Sequence, residues 1–108
     1  MTRITVVRNQ SGDVCGFTAS GHAGDAPAGS DIFCAAVSAI TQTACIGLTE
    51  VAKKKLKLTM RDGYLSAFLA EKDAADPQCR TIFSTMLLGL TSFDEGNPGH
   101  ILIFEEVR

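Results

Sequence analysis

The segment from Ile32 to Thr49 constrains the fold most, because no charged residue interrupts it. A membrane span needs roughly 20 predominantly apolar residues, whereas this segment is shorter, contains several hydroxyl and amide side chains and has mostly small apolar residues. We therefore expect a helix from about Ile32 to about Lys54 that packs against protein, in the core or in a subunit interface. The lysines at positions 53–55 would then suit the negative end of the helix dipole.

Length, charge and cysteine usage restrict the class of protein. The chain has 108 residues, which fits one domain spanning residues 1–108. With 10 Lys+Arg against 12 Asp+Glu the net charge is −2, so we expect no direct nucleic-acid binding through bulk electrostatics. The first apolar run is too short for a signal peptide, and no two cysteines have the Cys-x-x-Cys spacing of a zinc site. We expect a cytoplasmic protein with reduced thiols, no membrane segment and no metal.

Hydrophobic periodicity and turn signals predict the remaining elements. Strands are expected at residues 3–8, 14–20 and 100–107, and a second helix is expected to start at Asp76-Pro77 and to end within residues 94–99. With a hairpin between the helices, the order is ββαββαβ. This order predicts an α+β fold, a two-layer sandwich with two helices on one face of a mixed, largely antiparallel sheet. The last strand is apolar on both faces, which predicts an interior position in the sheet.

The Asp62-Gly63 pair is the strongest hairpin signal in the chain. A two-residue turn at this pair places apolar residues opposite each other on one face of the hairpin. The predicted pairs are Met60 with Leu65, Leu58 with Ala67, and Leu56 with Leu69. Polar side chains alternate with the apolar ones in the first strand, so the predicted register is self-consistent.

A cysteine and a histidine lie close together in sequence near the start of the long helix. Cys34 falls in the first helical turn whether Ser30 or Asp31 caps the helix. The N–H groups and the positive dipole end of that turn stabilise a thiolate, which is the nucleophilic form of cysteine. His22 lies in the glycine-rich segment 21–30, which we expect to be a mobile loop that can fold back onto the sulfur.

These two side chains can act as a catalytic pair. A thiolate and an imidazolium share one proton, so Cys34 attacks and His22 later protonates a leaving amine. The first-turn amides could hold the oxyanion of a tetrahedral intermediate. Ser38 lies on the same helix face, four residues after the cysteine. Asp31 has two open roles, because it could cap the helix or orient the imidazole.

Residue types and spacing alone leave other interpretations open. A buried cysteine is most often a small hydrophobic residue. Gly24 and Gly29 supply the backbone freedom of a hinged, gating loop. Glycines before a helix could instead cradle an anion at its first turn. In that case phosphate would protect Cys34 from alkylation, and no peptide would be cleaved.

Two blocks around these residues resemble a known family. Residues 20–24 read SGHAG, and residues 31–43 read DIFCAAVSAITQT. Together they resemble the signature of the Prp-type ribosomal-processing cysteine proteases, a bacterial family of about this length. The resemblance extends in outline over the whole chain, including the hairpin and the C-terminal strand.

This resemblance implies a function and a set of site residues. Family members remove a short N-terminal extension from a large-subunit ribosomal protein, which makes that peptide the expected substrate. His22 would be the catalytic histidine and Cys34 the nucleophile, and Gly21, Asp31 and Ser38 would occupy the other motif positions. The resemblance also implies a homodimer. We expect no metal and no organic cofactor.

One residue departs from the family pattern. Phe33 stands where the family more usually has a smaller β-branched residue, which bears on local packing or on peptide preference and leaves both catalytic positions intact. The alternative function is a non-enzymatic module that binds ribosome-associated protein partners and carries a vestigial or redox-sensing thiol. Faster alkylation of Cys34 than of the other thiols, at a rate that depends on His22, would favour the protease.

Overall fold

The structure, a computed structural model, describes residues 1–21 and 32–108. Within these residues the chain forms five strands and two α-helices in the order ββαββαβ. The strands are β1 (Thr2–Arg8), β2 (Val14–Ser20), β3 (Leu56–Arg61), β4 (Tyr64–Leu69) and β5 (Ile101–Val107). The helices are α1 (Ile32–Ile46) and α2 (Pro77–Gly96). The predicted α+β class and order of elements are confirmed.

The five strands form one sheet in the order β3-β4-β2-β1-β5. β1 and β5 are parallel, and the other neighbouring strands are antiparallel, so the predicted mixed sheet is confirmed. Alternate residues of the central strands point into one core, where they pack with residues of both helices. The core includes Ile4, Val6, Phe17, Ala19, Leu65 and Ala67 from the sheet and Val37, Phe83, Met86 and Leu90 from the helices.

The β3–β4 hairpin has the predicted register. Leu56 lies opposite Leu69, Leu58 opposite Ala67, and Met60 opposite Leu65. Gly63 in the turn has a φ of +69°, a conformation that glycine adopts without steric cost. Because β3 is an edge strand, the side chains of Leu58 and Met60 remain 46% and 54% exposed.

The last strand lies at the opposite edge of the sheet, so its predicted interior position is wrong. Among the described strands, β5 pairs with β1 alone, and Ile101 is its one buried residue. Leu102, Ile103 and Phe104 are all exposed. An apolar run shows which side chains favour burial, but the number of neighbouring strands depends on pairing with segments distant in sequence.

The long helix ends earlier than predicted. α1 continues as a π-helical turn, Gly47–Val51, and Lys53 then adopts a positive φ of 58°, which stops the helix. The Lys54 N–H donates to the Leu48 carbonyl over 3.0 Å. The lysines therefore follow the helix and do not form its last turn as predicted. Lys54 Nζ instead lies 3.3 Å from the Asp76 carboxylate.

The second helix begins as predicted. Asp76 caps α2 by accepting hydrogen bonds from the N–H of Gln78 (2.8 Å) and of Cys79 (3.4 Å), and a proline follows at the first helical position. The Gln78 N–H and the Lys54 side chain hold the pKa of the Asp76 carboxyl below its usual range. The hydrophobic periodicity of this segment corresponds to the buried face of α2, which carries Phe83, Met86 and Leu90.

The uncharged helix α1 packs on the protein along one side. Val37, Thr41, Ala44 and Cys45 are buried, which confirms the predicted packing against protein. Ile32 and Ile46 lie on the outer side and are 73% and 59% exposed. By length and composition alone the helical segment Ile32–Val51 could cross a membrane, but a core helix of a soluble protein meets the same criterion.

Candidate active site

Cys34 lines a cleft of about 410 Å³ between α1 and the β3–β4 hairpin. The helix side is formed by Cys34, Val37, Ser38, Thr41 and Gln42. The opposite wall is the tip of the hairpin, residues 60–65, and the sheet contributes Thr2, Ala19 and Gly21. Four segments of the chain, at Thr2, at Ala19 and Gly21, along α1 and at the hairpin tip, therefore line the cleft together.

The start of α1 determines the local environment of Cys34. The helix begins at Ile32, so Cys34 lies in the first turn as predicted, and its side chain is half-buried. N–H groups of a first turn have no acceptor within their own helix, and the dipole is positive there. This end therefore favours the negative charge of a thiolate or of an oxyanion. Ser38 lies one turn later and faces the same cleft, as its spacing predicts.

Gly21 closes the end of β2 at the rim of the cleft. Its N–H donates to the Gly63 carbonyl in the hairpin turn over 2.9 Å, and its φ is +93°. A Cβ added at Gly21 would lie 2.6 Å from the carbonyl oxygen of Met1. Glycine is therefore needed here both for the backbone conformation and for the close approach of the Met1 carbonyl, which gives this predicted site residue a structural role.

We expect Gly21→Ala to destabilise the fold more than Gly12→Ala. Gly12 also has a positive φ, of +87°, but nothing lies within 4 Å of a Cβ added there. Each substitution strains the backbone by about 1–2 kcal/mol, and Gly21→Ala adds a clash with Met1 that costs about another 1–3 kcal/mol. Urea denaturation measures both free energies of unfolding. Equal losses in the two variants would contradict the role of the Met1 contact.

Phe33 anchors the start of α1 to the elements beside it. Its ring stacks on the His100 ring with centroids 3.7 Å apart and an interplanar angle of 12°. The ring of Phe93, in α2, lies 6.3 Å away. The large residue that departs from the family pattern thus packs within an aromatic cluster next to Cys34. These ring contacts connect the start of α1 to α2 and to the residue before β5.

The other three cysteines do not line the cleft. Cys45 and Cys79 are buried, and Cys15 is half-buried. Burial raises the pKa of the Cys45 thiol, and burial together with the nearby Asp76 carboxylate raises that of Cys79. Burial and the Glu71 carboxylate raise the pKa of Cys15. These three residues therefore favour the neutral thiol, which is the poorer nucleophile.

Four predicted site residues lie outside the described residues. They are His22, Gly24, Gly29 and Asp31, and their roles stay predictions. The described residues on either side, Gly21 and Ile32, lie at the rim of the cleft and at the start of α1 respectively.

The hairpin tip is a wall of the site that local sequence does not indicate. Met60 and Leu65, which lie opposite each other in the hairpin, both line the cleft. Their approach to α1 depends on strand order, which leaves no local signal. Gln42 also lines the cleft, and its position eight residues after Cys34, two helical turns along the same face, is a signal that could have identified it.

The chain matches the family model of the cysteine protease Prp over residues 1–102. The chain belongs to the Prp family. It is therefore a cysteine protease, and family membership favours an enzyme over the non-enzymatic binding module. No curated protein matches the chain.

Solved structures show the same Prp fold. SMU.848 from Streptococcus mutans is 28% identical, with 100% of this chain and 96% of that chain covered and a TM-score of 0.85. The essential ribosomal processing protease Prp from S. aureus, in complex with a covalently linked product peptide, is 21% identical. The match covers 98% of this chain and 100% of that chain, with a TM-score of 0.87. The same S. aureus protease with a substrate peptide is 19% identical. The match covers 98% of this chain and 100% of that chain, with a TM-score of 0.85. The two helices and the five-stranded mixed sheet described above are thus the Prp fold.

Proposed function

We propose that this Prp-family protease removes a short N-terminal extension from a large-subunit ribosomal protein, with Cys34 as nucleophile and His22 as general acid and base. The observation that carries the proposal is that Cys34, in the first turn of α1, faces a cleft whose rim includes Gly21, the residue before His22 in sequence. The S. aureus protein of the same fold is a ribosomal processing protease seen with a covalently linked product peptide, which supports the substrate class.

The proposed reaction is acyl transfer through a thioester. The Cys34 thiolate attacks the scissile carbonyl carbon, and first-turn N–H groups of α1 donate to the oxyanion of the tetrahedral intermediate. His22 gives its proton to the departing amine as the C–N bond breaks, which leaves an acyl-enzyme. Water then attacks the thioester, and His22 accepts a proton from that water. The sulfur leaves as a thiolate and the acid product is released.

The cleft suits an extended peptide. Ser38 and Gln42 place a hydroxyl and an amide on the helix side, where they can hydrogen-bond to a peptide backbone. Val37, Met60 and Leu65 add apolar surface on both walls. The groups that line the cleft thus combine apolar contact with a few polar groups, as peptide and ligand sites commonly do.

Asp31→Asn separates the two roles that we keep open for Asp31. Asparagine caps a helix about as well as aspartate does, but it carries no charge to hold an imidazolium. If Asp31 orients His22, Asp31→Asn should lower kcat by roughly tenfold or more, with an unchanged melting temperature. If it acts as a cap alone, peptide cleavage should match that of the unmodified chain.

The direct test is cleavage of a precursor peptide. We expect the purified protein to cut a synthetic peptide that spans the N-terminal extension and the mature start of the ribosomal protein, with mass spectrometry reporting one new N-terminus. The mature segment alone, without the extension, is the control and should remain intact. No cleavage of the precursor peptide by a folded protein would contradict the proposed substrate.

We also propose a homodimer formed through the outer side of α1. A groove of about 560 Å³ runs between α1 and α2. Small residues line much of it, namely Ala39, Thr43, Gly47, Thr85 and Gly89. Ile46 lies seven residues after Ala39, on the same helix stripe, and is 59% exposed. An uncharged helix face of this kind supports close packing against a second copy, as the family resemblance implies.

Ile46→Glu should convert this dimer to a monomer. A carboxylate placed in an uncharged interface loses its hydration without gaining a partner. The matched control is Val107→Glu, because Val107 is 62% exposed but lies on the edge strand β5, and this variant should stay dimeric. Sedimentation velocity measures both. A monomeric parent chain, or a dimer that survives Ile46→Glu, would contradict the proposed interface.

A further inference from the structure

The side of the sheet that faces away from the core has an ordered surface, which we call the open sheet face. It consists of the residues that alternate with the core residues along the five strands. Strand register places them in three rows across the sheet. The middle row runs Thr59, Ser66, Thr18, Thr5 and Phe104. Four adjacent strands thus present a hydroxyl group, and the fifth presents an aromatic ring.

The rows on either side concentrate positive charge. Arg61 and Arg3 lie in one flanking row, and Lys57 lies in the other. Their side chains are all exposed. The carboxylate in these rows is Glu106, which accepts a hydrogen bond from Arg108 over 3.0 Å. The chain as a whole has a net charge of −2, so the fold sorts its charges and leaves this face positive.

Arginine side chains are held against aromatic rings on the same face. The Arg3 guanidinium lies 5.0 Å from the centroid of the Phe104 ring, and that of Arg61 lies 4.1 Å from the centroid of Tyr64. Such contacts attract a guanidinium to an aromatic ring and leave it N–H groups with which to bind a ligand. The face therefore carries guanidinium groups beside aromatic rings.

A third ring lies directly on the sheet backbone. A Cβ added at Gly16 would lie 2.4 Å from the ring of Phe68, so that ring packs against the glycine on the neighbouring strand. Phe68 is half-buried, whereas Phe104 is 41% exposed. The open sheet face therefore carries the Phe104 ring at one end of the hydroxyl row and the Phe68 ring in the flanking row that also contains Lys57.

We propose that the open sheet face binds single-stranded RNA. Exposed rings and guanidinium planes are the groups on which unpaired bases stack, and a sheet that carries them can hold two or three bases. Lysine and arginine attract the phosphates, and the hydroxyl row offers partners to the 2′-hydroxyl groups that distinguish RNA from DNA. The five strands make each row roughly 20 Å long, since strands lie about 4.8 Å apart.

The charge pattern of the open sheet face favours single-stranded RNA over a second copy of the chain as its partner. A two-fold contact would bring the same face of both copies together, so the interface would hold three cationic side chains from each copy (Arg3, Lys57 and Arg61) against one carboxylate from each, Glu106. A polyanion meets no such repulsion. The net charge of −2 predicts no nucleic-acid binding because it averages over the whole surface. The proposal depends on how the sheet distributes that charge.

Fluorescence anisotropy with a labelled single-stranded oligouridylate tests the proposal on the full chain. With three phosphate contacts, we expect the affinity to fall about 20-fold between 50 and 200 mM salt. Phe104→Ala should weaken binding about tenfold by removing one stacking surface. Lys57→Glu should weaken RNA binding more than Lys72→Glu does. Lys72→Glu makes the same change of charge at an exposed lysine that does not lie on the open sheet face. Lys57→Glu should also leave peptide cleavage unchanged, so this test is independent of the proposed protease substrate.

Several results would overturn the proposal. One is the absence of RNA binding at 50 mM salt. Another is that Lys57→Glu and Lys72→Glu lose the same amount of RNA affinity. A third is that a DNA oligomer of matching sequence binds as tightly as the RNA. A change in oligomeric state in Phe104→Ala, seen by sedimentation velocity, would assign the face to a second copy instead. Circular dichroism confirms that each variant is folded, and Lys57→Glu, at an exposed position, keeps the test valid if Phe104→Ala unfolds.

Discussion

Replacing Cys34 with alanine is expected to abolish cleavage of the precursor peptide and to leave the fold intact. The variant lacks the sulfur that forms the acyl-enzyme, so kcat should fall by roughly 10⁴- to 10⁶-fold. Cys34 is half-buried at a cleft, so loss of one sulfur atom leaves the core packing in place. Mass spectrometry of the reaction products measures cleavage, and thermal denaturation measures stability.

Cys15→Ala is the matched control for Cys34→Ala. Cys15 is also half-buried, but it lies on β2 outside the cleft, and its replacement should leave cleavage unchanged. In the unmodified chain, iodoacetamide should label Cys34 before the other three thiols, whose pKa values are raised by burial. Cleavage at the unmodified rate by Cys34→Ala would show that another group is the nucleophile. Protection of Cys34 by phosphate, without cleavage, would point to an anion site.

Replacing His22 with alanine should have the second largest effect. Loss of a general acid and base lowers kcat by about 10²- to 10⁴-fold, because the amine must then leave without a proton from the enzyme. The rate of alkylation at Cys34 should fall as well, since the imidazolium no longer stabilises the thiolate. The double variant with Cys34→Ala should be no less active than Cys34→Ala alone, because the two side chains act as one unit.

The other histidine provides the control for this experiment. The chain has two histidines, and His100 stacks on Phe33. His100→Phe removes the imidazole and keeps an aromatic ring for the stack, so it should retain both cleavage and fast alkylation. If His100→Phe lost activity as completely as His22→Ala, the assignment of the general acid to His22 would be wrong.

Local features of the sequence predict much of this fold correctly. The Asp62-Gly63 turn and the apolar pairs beside it agree, so the hairpin register follows from residues close together in sequence. Asp76 followed by proline likewise marks the start of α2 through a cap that involves its own first turn. Prediction fails at the lysines after α1, because the positive φ of Lys53 ends the helix before they can join it.

Local sequence likewise predicts some features of the candidate site and not others. The placement of Cys34 in a first helical turn and of Ser38 on the same face follows from helix geometry alone. The hairpin tip that forms the opposite wall could not be predicted, because its approach to α1 depends on the order of the strands in the sheet. The stack of Phe33 on His100 joins residues far apart in sequence and is decided by packing.

The sequence by itself determined the elements, their turns and caps, and the thiol at the start of a helix, because these depend on contacts within a few residues. Tertiary structure alone decided that β5 is an edge strand parallel to β1 and that the hairpin tip forms the wall of the cleft opposite α1. It also decided that Arg3, Lys57 and Arg61 share one face of the sheet. The physical reason is that strand order and the face covered by helices arise when distant segments compete to bury apolar surface, and this competition is not encoded in any short stretch of the chain.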